Sequence, residues 1–592
     1  MKITVRTKED CKEINSSINI SILTLLHEHD IYISAPCGGK GTCGKCKIKV
    51  LKGTLPVSSK DEQVFSNEEL NKGCRLACSA FPTEDLEIMI ESSEEGFDVL
   101  TAYQRSNESV ECSIQTVEVY VNDVNWQEIK SIHQALELKF SKSLEFSYKG
   151  LKNLSKAFHE FMKSSGTTKT VTLLFDEEKV IDAFYKKDIE VYGIAIDIGT
   201  TTLGFHLVDL QTGKIMAVHT GLNNQRTYGA DVITRIQSAS TGNLVKLNRM
   251  IITDIVTGIE KLLEDTGIDK RFVYKISIAG NTTMIHLLLG LPPESLGQFP
   301  FTATTLKLVE YPFQNLFGSQ LLDCEVSLLP AVDAYVGADI AAGILHHGMF
   351  NTEKVSMLID IGTNGEIVIG NRHSILATAA AAGPALEGGN ISCGVGCVNG
   401  AIISVKYQDG TFDCKIMGNQ KPIGICGSGI IDVISEGLKH GWIDDTGRLS
   451  EEFAQGDVTI FNENEALIKI SQKDIREVQL AKSAIRAGIE CLIKEYGIRY
   501  DEIENVYLAG GFGSSISIEN SVVIGLIPKE LKHKIIVSGN SSLGGAVKYL
   551  LDKNAKSSLE KIIHEAKAIN LSTNPDFNNL FVENMYFKIE EK

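Results

Sequence analysis

Two stretches of this chain repeat one another: Ile196-Asp197-Ile198-Gly199-Thr200 and Ile359-Asp360-Ile361-Gly362-Thr363. The first stands between an apolar run that begins at Gly193 and a second that extends from Leu203 to Val208. The second follows Met357-Leu358 and leads through Asn364-Gly365-Glu366 into Ile367 to Ile369. Each reads as a tight β-hairpin with an acid and hydroxyls at its tip. Two such hairpins predict two similar halves facing one another. The competing reading is two unrelated surface hairpins, and the glycine-rich stretches downstream weigh against it. Backbone N–H groups and hydroxyls at hairpin tips cradle phosphate, and an acid at each tip suits Mg²⁺ held mainly through water.

At 592 residues the chain is long enough for several domains, and 43% hydrophobic residues is ample for their cores. No apolar run approaches the length of a membrane span, and Met1-Lys2-Ile3-Thr4-Val5-Arg6-Thr7 lacks a signal-peptide core. The expectation is a cytoplasmic protein with no membrane role. A net charge of −17 disfavours nucleic acid, which requires a basic footprint. Of thirteen cysteines, five fall between Cys37 and Cys78, and such crowding in a cytosolic chain points to metal rather than disulfides.

Residues 1–92 read as one domain. Lys2 to Thr7 alternates as a strand, and Ser21 to His29 has the apolar spacing of a short helix. Cys37-Gly-Gly-Lys-Gly-Thr-Cys43-Gly-Lys-Cys46 is a glycine-rich loop whose N–H groups can turn toward cluster sulfurs. A strand from Lys47 to Leu51 follows, then Cys74-Arg-Leu-Ala-Cys78. Four thiolates satisfy the two irons of a 2Fe–2S cluster. The spacing C-x5-C-x2-C is one residue longer than the plant-type pattern. Four cysteines also make a zinc site, although the long glycine-rich loop is unlike a zinc knuckle. The segment resembles ferredoxin modules fused to reductases and activators, whose fourth ligand ends an Arg-Leu-Ala-Cys motif. That resemblance implies Cys37, Cys43, Cys46 and Cys78 as ligands, with Cys74 competing for the fourth place. Lys40, Lys45 and Lys47 surround the loop, either as a docking surface for an acidic partner or as a solvated basic rim.

Polar Glu91-Ser-Ser-Glu-Glu-Gly-Phe97 ends this domain, and residues 93–120 read as a linker. Residues 121–189 read as a small α+β domain, with helices at 129–140 and 151–162 and strands at 170–175 and 180–185; a strand at 112–121 precedes them. It holds no catalytic constellation; His133 and His159 read as surface or packing residues, and positioning or dimerisation is the role expected.

Residues 190–592 hold the remaining motifs. Asp231 and Arg235 stand at i and i+4, which predicts an ion pair on one helix face. A strand from Tyr274 to Ala279 meets Gly280-Asn281-Thr282-Thr283-Met284, and His286 beyond it reads as core. Leu329 to Gly343, rich in small residues, reads as a connecting helix carrying Asp339, either a site carboxylate or a plain surface acid. Ala379 to Gly389 reads as an apolar loop. Gly427-Ser428-Gly429 opens a helix whose N-terminus suits phosphate or ribose. Asp474 to Leu492 reads as a long helix. A strand ending at Ala509 runs into Gly510-Gly511, where a nucleoside can lie against bare backbone. Ser538 to Val547 reads as a second small-residue connector.

In this order the motifs resemble the actin, Hsp70 and sugar-kinase superfamily. Joined to the cysteine module, Ile-Asp-Ile-Gly-Thr-Thr-Thr, Tyr-Gly-Ala-Asp-Val, Ala-Gly-Asn-Thr-Thr-Met, Asp-Ile-Gly-Thr-Asn-Gly-Glu, Gly-Ile-Cys-Gly-Ser-Gly and Ala-Gly-Gly-Phe-Gly resemble the reductive activators of corrinoid proteins. The resemblance implies a multidomain α/β and α+β fold. Its parts would be a plant-type-like 2Fe–2S ferredoxin of β-grasp form, a small α+β middle domain and a two-lobed ATPase. It further implies that ATP hydrolysis drives an electron from the cluster to Co(II) of a corrinoid protein, restoring Co(I). Asp197 and Asp360 would organise Mg²⁺ and the attacking water, with Glu366 as a supporting acid and Asp339 orienting water. Gly199, Thr200, Thr201 and Thr202 would hold phosphate from one side, and Gly362, Thr363 and Asn364 from the other. Gly510 and Gly511 would border adenosine, with Gly427, Ser428 and Gly429 nearby. An upstream low-potential electron donor and a homodimer are the further partners implied. The competing readings are an activator of another low-potential enzyme, a small-molecule kinase with a regulatory cluster, and a binding module without turnover.

Overall fold

In a computed structural model of the chain, each Asp-Ile-Gly-Thr stretch ends one arm of an antiparallel hairpin. The structure describes residues 2–6, 11–15, 20–29, 31, 33, 46–90, 103, 110–120, 130–163, 170–186, 189–408, 410–418, 420–451, 453, 457–463, 466–510 and 516–587. The first hairpin pairs Tyr192–Ile198 with Thr202–Asp209 and sets Asp197 opposite Gly204. The second pairs Val355–Ile361 with Gly365–Gly370 and sets Asp360 opposite Glu366.

The likeness extends well beyond the hairpins. Tyr192–Ile198 lies parallel to Val273–Gly280 with Asp197 beside Ala279. Val355–Ile361 lies parallel to Ile503–Ala509 with Asp360 beside Ala509. A third antiparallel strand follows each hairpin, Ile215–Leu222 in one half and Ile375–Ala380 in the other. Each half thus builds a six-stranded sheet. The central strands are buried on both faces, which is why their sequences are near-continuous apolar runs rather than alternating ones. A long helix covers each sheet. Leu244–Thr266 turns Leu247, Ile251, Ile255, Ile259 and Leu262 inward, at the spacing of one helix face. Gln472–Tyr496 starts at a capping box formed by Ser471 and Asp474.

Between the halves, helix Ala338–His347 packs on helix Ser541–Leu551. A Cβ on Gly545 would stand 2.0 Å from the Ala342 carbonyl oxygen, so only glycine allows this approach. Ala338, Ile340, Ala341 and Ile344 share one buried core with Leu543, Ala546 and Leu550. The expected helix from Leu329 to Gly343 is therefore shorter than its composition suggests. Residues 329–337 form a turn, because Pro330 has no N–H to give and the Asp333 carboxylate takes the Ala334 N–H.

At the N-terminal end, Lys2–Arg6 runs parallel to Leu86–Met89 within a five-stranded sheet, and helix Ile22–Glu28 contributes Ile22, Leu25 and Leu26 to its core. This is the β-grasp arrangement expected of the ferredoxin module. The middle sheet has the order Ile114–Tyr120, Thr170–Asp176, Lys179–Phe184, Glu145–Phe146, with helices Ile132–Phe140 and Tyr148–Lys163 beside it. Its first strand falls inside the span 93–120 read as linker. Alternation alone did not reveal that Ile114–Tyr120 pairs along its length with Thr170–Asp176. The middle domain is fastened to the first half by Lys275 Nζ on Asp176, 2.7 Å, and by the Tyr274 hydroxyl on Asp182, 3.0 Å. Upstream, the Tyr103 ring lies 5.5 Å from that of His206 and 5.2 Å from that of His346, and its backbone bridges to Gly539. No described helix is long and apolar enough to cross a membrane.

Candidate functional site

The two hairpin aspartates face one cleft between the halves. Asp197 is contacted from the far half, where Asn540 Nδ2 donates to Oδ2 at 2.9 Å and Ser542 Oγ donates to Oδ1 at 2.7 Å. Asn540 and Ser542 stand at the start of helix Ser541–Leu551. The carboxylate at the first tip is thus oriented by the connector of the second half.

Asp339, Asp360, Glu366 and Glu387 converge on the same space, close enough to influence one another. Burial, then Asp197, raise Asp339 to about 7. Burial raises Asp360 to about 8, with Asp339, Asp197 and Glu387 adding repulsion. Glu366 is raised well above its ordinary range by burial, then by Asp339 and Asp360. Burial also raises Asp197 and Glu387, and their hydrogen bonds only partly counter it. Dehydrated carboxylates with mutual repulsion are what a divalent cation relieves. Among the described residues no three His, Cys, Asp or Glu side chains stand close enough to hold a metal directly. The donor set fits Mg²⁺ carried on water and phosphate oxygens, the usual way this small cation is held.

The first tip is braced from behind. Asn223 Nδ2 donates to the Gly199 carbonyl at 2.9 Å, and the Asn223 N–H donates to that of Thr201 at 3.0 Å. Asn281 Nδ2 donates to Thr200 Oγ1 at 3.1 Å. Arg235 is fully buried; its Nε donates to the Gly229 carbonyl at 2.9 Å and an Nη to the Thr200 carbonyl. Burial lowers Arg235 to about 9. The ion pair expected between Asp231 and Arg235 does not form. Asp231 instead caps helix Val232–Ser238 by accepting the Thr234 N–H at 2.7 Å, which turns Arg235 toward the tip.

At the second tip the Gly362 N–H donates to the Asn364 carbonyl at 2.9 Å, and Thr363 Oγ1 donates to Glu387 Oε2 at 2.7 Å. Thr202 begins the return strand of the first hairpin. Gly510 closes the strand beside Asp360 with φ of +92°, and a Cβ there would fall 2.4 Å from the Ile361 carbonyl oxygen. Gly511 lies outside the described residues. Gly427, Ser428 and Gly429 are buried at the start of helix Gly427–His440, and Ser428 Oγ donates to the Ile403 carbonyl at 2.7 Å. His286 is core, as expected, with Nδ1 on the Thr282 carbonyl and Nε2 accepting the Thr304 N–H.

The sequence reading missed Glu387, Asn540, Ser542, Asn223 and Asn281. Glu387 offered one signal, an acid flanked by Pro384 and Gly388-Gly389 just after the second hairpin.

Two of the expected cluster ligands, Cys37 and Cys43, lie outside the described residues. Cys46 and Cys78 are both buried at one end of the N-terminal sheet. The Ala77 N–H donates to the Cys46 carbonyl at 2.8 Å, so the residue before Cys78 is bound to Cys46. Cys74 lies farther along, paired with Lys49 inside the sheet. Two buried thiols in this domain are a donor chemistry that fits an iron–sulfur cluster.

Comparison with known proteins adds the following. Residues 354–592 match the family described as the C-terminal domain of RACo, the ASKHA domain, and residues 192–352 match the RACo middle region. Residues 9–83 match the 2Fe-2S iron-sulfur cluster binding domain. The chain is 29% identical to the corrinoid activation enzyme RamQ of Eubacterium limosum, across 97% of this chain and 98% of that one. It is 28% identical to the [Co(II) methylated amine-specific corrinoid protein] reductase of Methanosarcina barkeri, across 66% of this chain and 76% of that one. A solved structure titled reductive activator for corrinoid, iron-sulfur protein superposes with a TM-score of 0.73 at 29% identity, covering 100% of this chain and 99% of that one.

Proposed function

The chain belongs to the family of reductive activators of corrinoid proteins, and from that premise we propose that it hydrolyses ATP to move one electron from a 2Fe–2S cluster onto Co(II) of a corrinoid protein, yielding Co(I). The observation that carries this reading is the pairing, in one chain, of a cluster-binding domain with two aspartate-tipped hairpins that close on one cleft. The cluster supplies electrons one at a time at low potential. Cys37, Cys43, Cys46 and Cys78 hold it. Asp197 and Asp360 hold Mg²⁺ through water; Asp339 and Glu366 orient the attacking water from the connecting helix and the return strand. Glu387 joins them through Thr363. Gly199, Thr200, Thr201 and Thr202 grip the phosphates from one half, and Gly362, Thr363 and Asn364 from the other. Gly510, Gly511 and the Gly427-Ser428-Gly429 turn border the nucleoside. The domains follow the spans 1–92, 93–113, 114–189 and 190–592.

ATP is needed because each ~59 mV of unfavourable potential costs a factor of ten in a one-electron equilibrium. Nucleotide binding changes that balance only through different affinities for open and closed arrangements of the two halves. Asp197 meets Asn540 and Ser542 across the cleft, so closure and the Mg²⁺ site are mechanically linked. An upstream low-potential donor reloads the cluster, in a cytoplasmic setting. Two copies associate, a step supported by Tyr148, Leu151 and Met162, which are exposed on the middle-domain helix Tyr148–Lys163.

The test mixes reduced, cluster-loaded protein with a Co(II) corrinoid protein and follows the cobalt spectrum. Co(I) should form with Mg·ATP and not without it, and Asp360→Asn should slow ATP hydrolysis by about a hundredfold or more while leaving the cluster spectrum intact. Equal Co(I) formation without nucleotide would refute the coupling. ATP consumption matched by phosphorylation of a small molecule would move the assignment to a kinase.

A further inference from the structure

Three successive carbonyls of the first tip are taken from its buried side. Asn223 Nδ2 donates to that of Gly199 at 2.9 Å, an Arg235 Nη to that of Thr200, and the Asn223 N–H to that of Thr201 at 3.0 Å. These peptide bonds are trans, and in a planar trans peptide the N–H points opposite to the carbonyl. The N–H groups of Thr200, Thr201 and Thr202 are therefore turned to the other side of the tip. That side is the open one: Asn223 and Arg235 are fully buried, whereas residues 199–202 are half-buried. Among the described residues neither the Thr200 nor the Thr201 N–H has an acceptor.

Arg235 is the charged member of this bracket. Its Nε donates to the Gly229 carbonyl at 2.9 Å, and its other Nη donates to Met284 Sδ at 3.1 Å and to Gln225 Oε1 at 3.5 Å. Glycine at 229 permits this approach, because a Cβ there would stand 2.8 Å from the Arg235 nitrogen. Among the described residues no carboxylate pairs with Arg235: Asp231 caps its own helix, and Asp254 accepts the N–H and the side-chain amide of Asn224. A guanidinium keeps its charge when buried, and a buried charge without an opposite one beside it is costly. A neutral amide holds the neighbouring Gly199 carbonyl, so bracing alone does not call for a cation. A cation on the Thr200 carbonyl polarises the peptide unit it shares with Thr201 and makes the Thr201 N–H a stronger donor. We propose that Arg235 is a positioning residue for the phosphates of the nucleotide: from behind the tip it aims and strengthens the Thr201 N–H as a donor to a phosphate oxygen, and its charge adds to the attraction without touching the phosphate. This role rests on the ATPase reading of the cleft.

The full-length, cluster-loaded protein is compared with its Arg235→Met and Arg235→Lys variants by titration with Mg·ATP and by steady-state ATP hydrolysis, with thermal melting and the cluster absorbance recorded alongside. Met fills the space with neither charge nor donors, and Lys keeps the charge with a single ammonium in place of the fork. The KM for ATP should rise about tenfold or more in Arg235→Met, with kcat within about threefold of the native value, because a grip on the bound phosphates is lost rather than a step of the chemistry. Arg235→Lys should fall between the two, and the Kd for Mg·ATP should follow KM in both variants. A merely structural role would lower kcat through the inactive fraction and leave KM and Kd as they are, and that result would overturn the assignment. Should Arg235→Met fail to fold, the KM and Kd of Arg235→Lys decide on the same terms. A native protein that does not bind Mg·ATP would overturn the ATPase reading and this role with it. A native protein that binds Mg·ATP, with variants that bind it equally well, would overturn the role of Arg235 alone.

Discussion

Asp360 and Asp339 bind protons more tightly in the fold than in the unfolded chain, since their values near 8 and 7 stand above the ordinary 3.8. Their contribution to stability is therefore full below about pH 4 and is lost as pH rises through about 7 to 8. A divalent cation reverses this by favouring the charged forms. In EDTA the Tm of the nucleotide-free protein should fall between about pH 5 and about pH 8.5, and the stabilisation given by Mg·ATP should grow over the same interval. A ligand-induced shift in Tm that is the same at both ends of that range would contradict it. Asp197 and Asp360 stood out in the sequence because the hairpin motif repeats, whereas Glu366 entered only through the family resemblance, the first hairpin having Gly204 at the matching place. Asn540 and Ser542 were not, because they reach Asp197 across 343 and 345 residues and carry only ordinary helix-start chemistry. Arg235 was misread because i,i+4 spacing says which residues share a helix face, not what that face meets.

At the level of elements, the two halves were readable from their strands, whose apolar runs and Gly-rich ends recur. The connectors were less so. Small residues mark close packing, but they do not say where a helix starts, and the Asp333 turn took the first nine residues of the expected connector. Packing that depends on glycine has little room to give. Gly545→Val should destabilise the protein by about 3 kcal/mol or more, because overpacking costs ~1–3 kcal/mol even where neighbours can shift and here the obstruction is a carbonyl oxygen 2.0 Å away. Thermal denaturation measures the loss. An unchanged melting midpoint would show that the close approach of the two helices does not stabilise the fold.

For the whole molecule, the division of the cores decides which parts can be separated. The N-terminal domain keeps a core of its own, built on Ile3, Val5, Leu25, Leu26, Ile48, Leu76 and Ile88. The core between the two halves also takes in Cys112, Ile114 and Leu174 from the middle sheet and the segment before it. Removing residues 1–92 should leave ATP hydrolysis within about threefold of the full chain and abolish Co(I) formation, since the apolar residues buried in that domain form a cluster apart from the one between the halves. A truncated protein that unfolds or loses hydrolysis would show that the first domain supports the others.

Tyr103, set between His206 and His346 and bridged to Gly539, also has a geometric meaning. Thirteen residue steps separate it from Ile90, where the last described stretch of the cluster domain ends. A fully extended chain of that length reaches about 45 Å. Ile90 therefore lies within a sphere of that radius around Tyr103. A partner seated on the ATPase halves meets the cluster domain at a local concentration that this radius bounds from below, rather than at its concentration in bulk. Lengthening the chain between Ile90 and Tyr103 widens that sphere and dilutes the encounter.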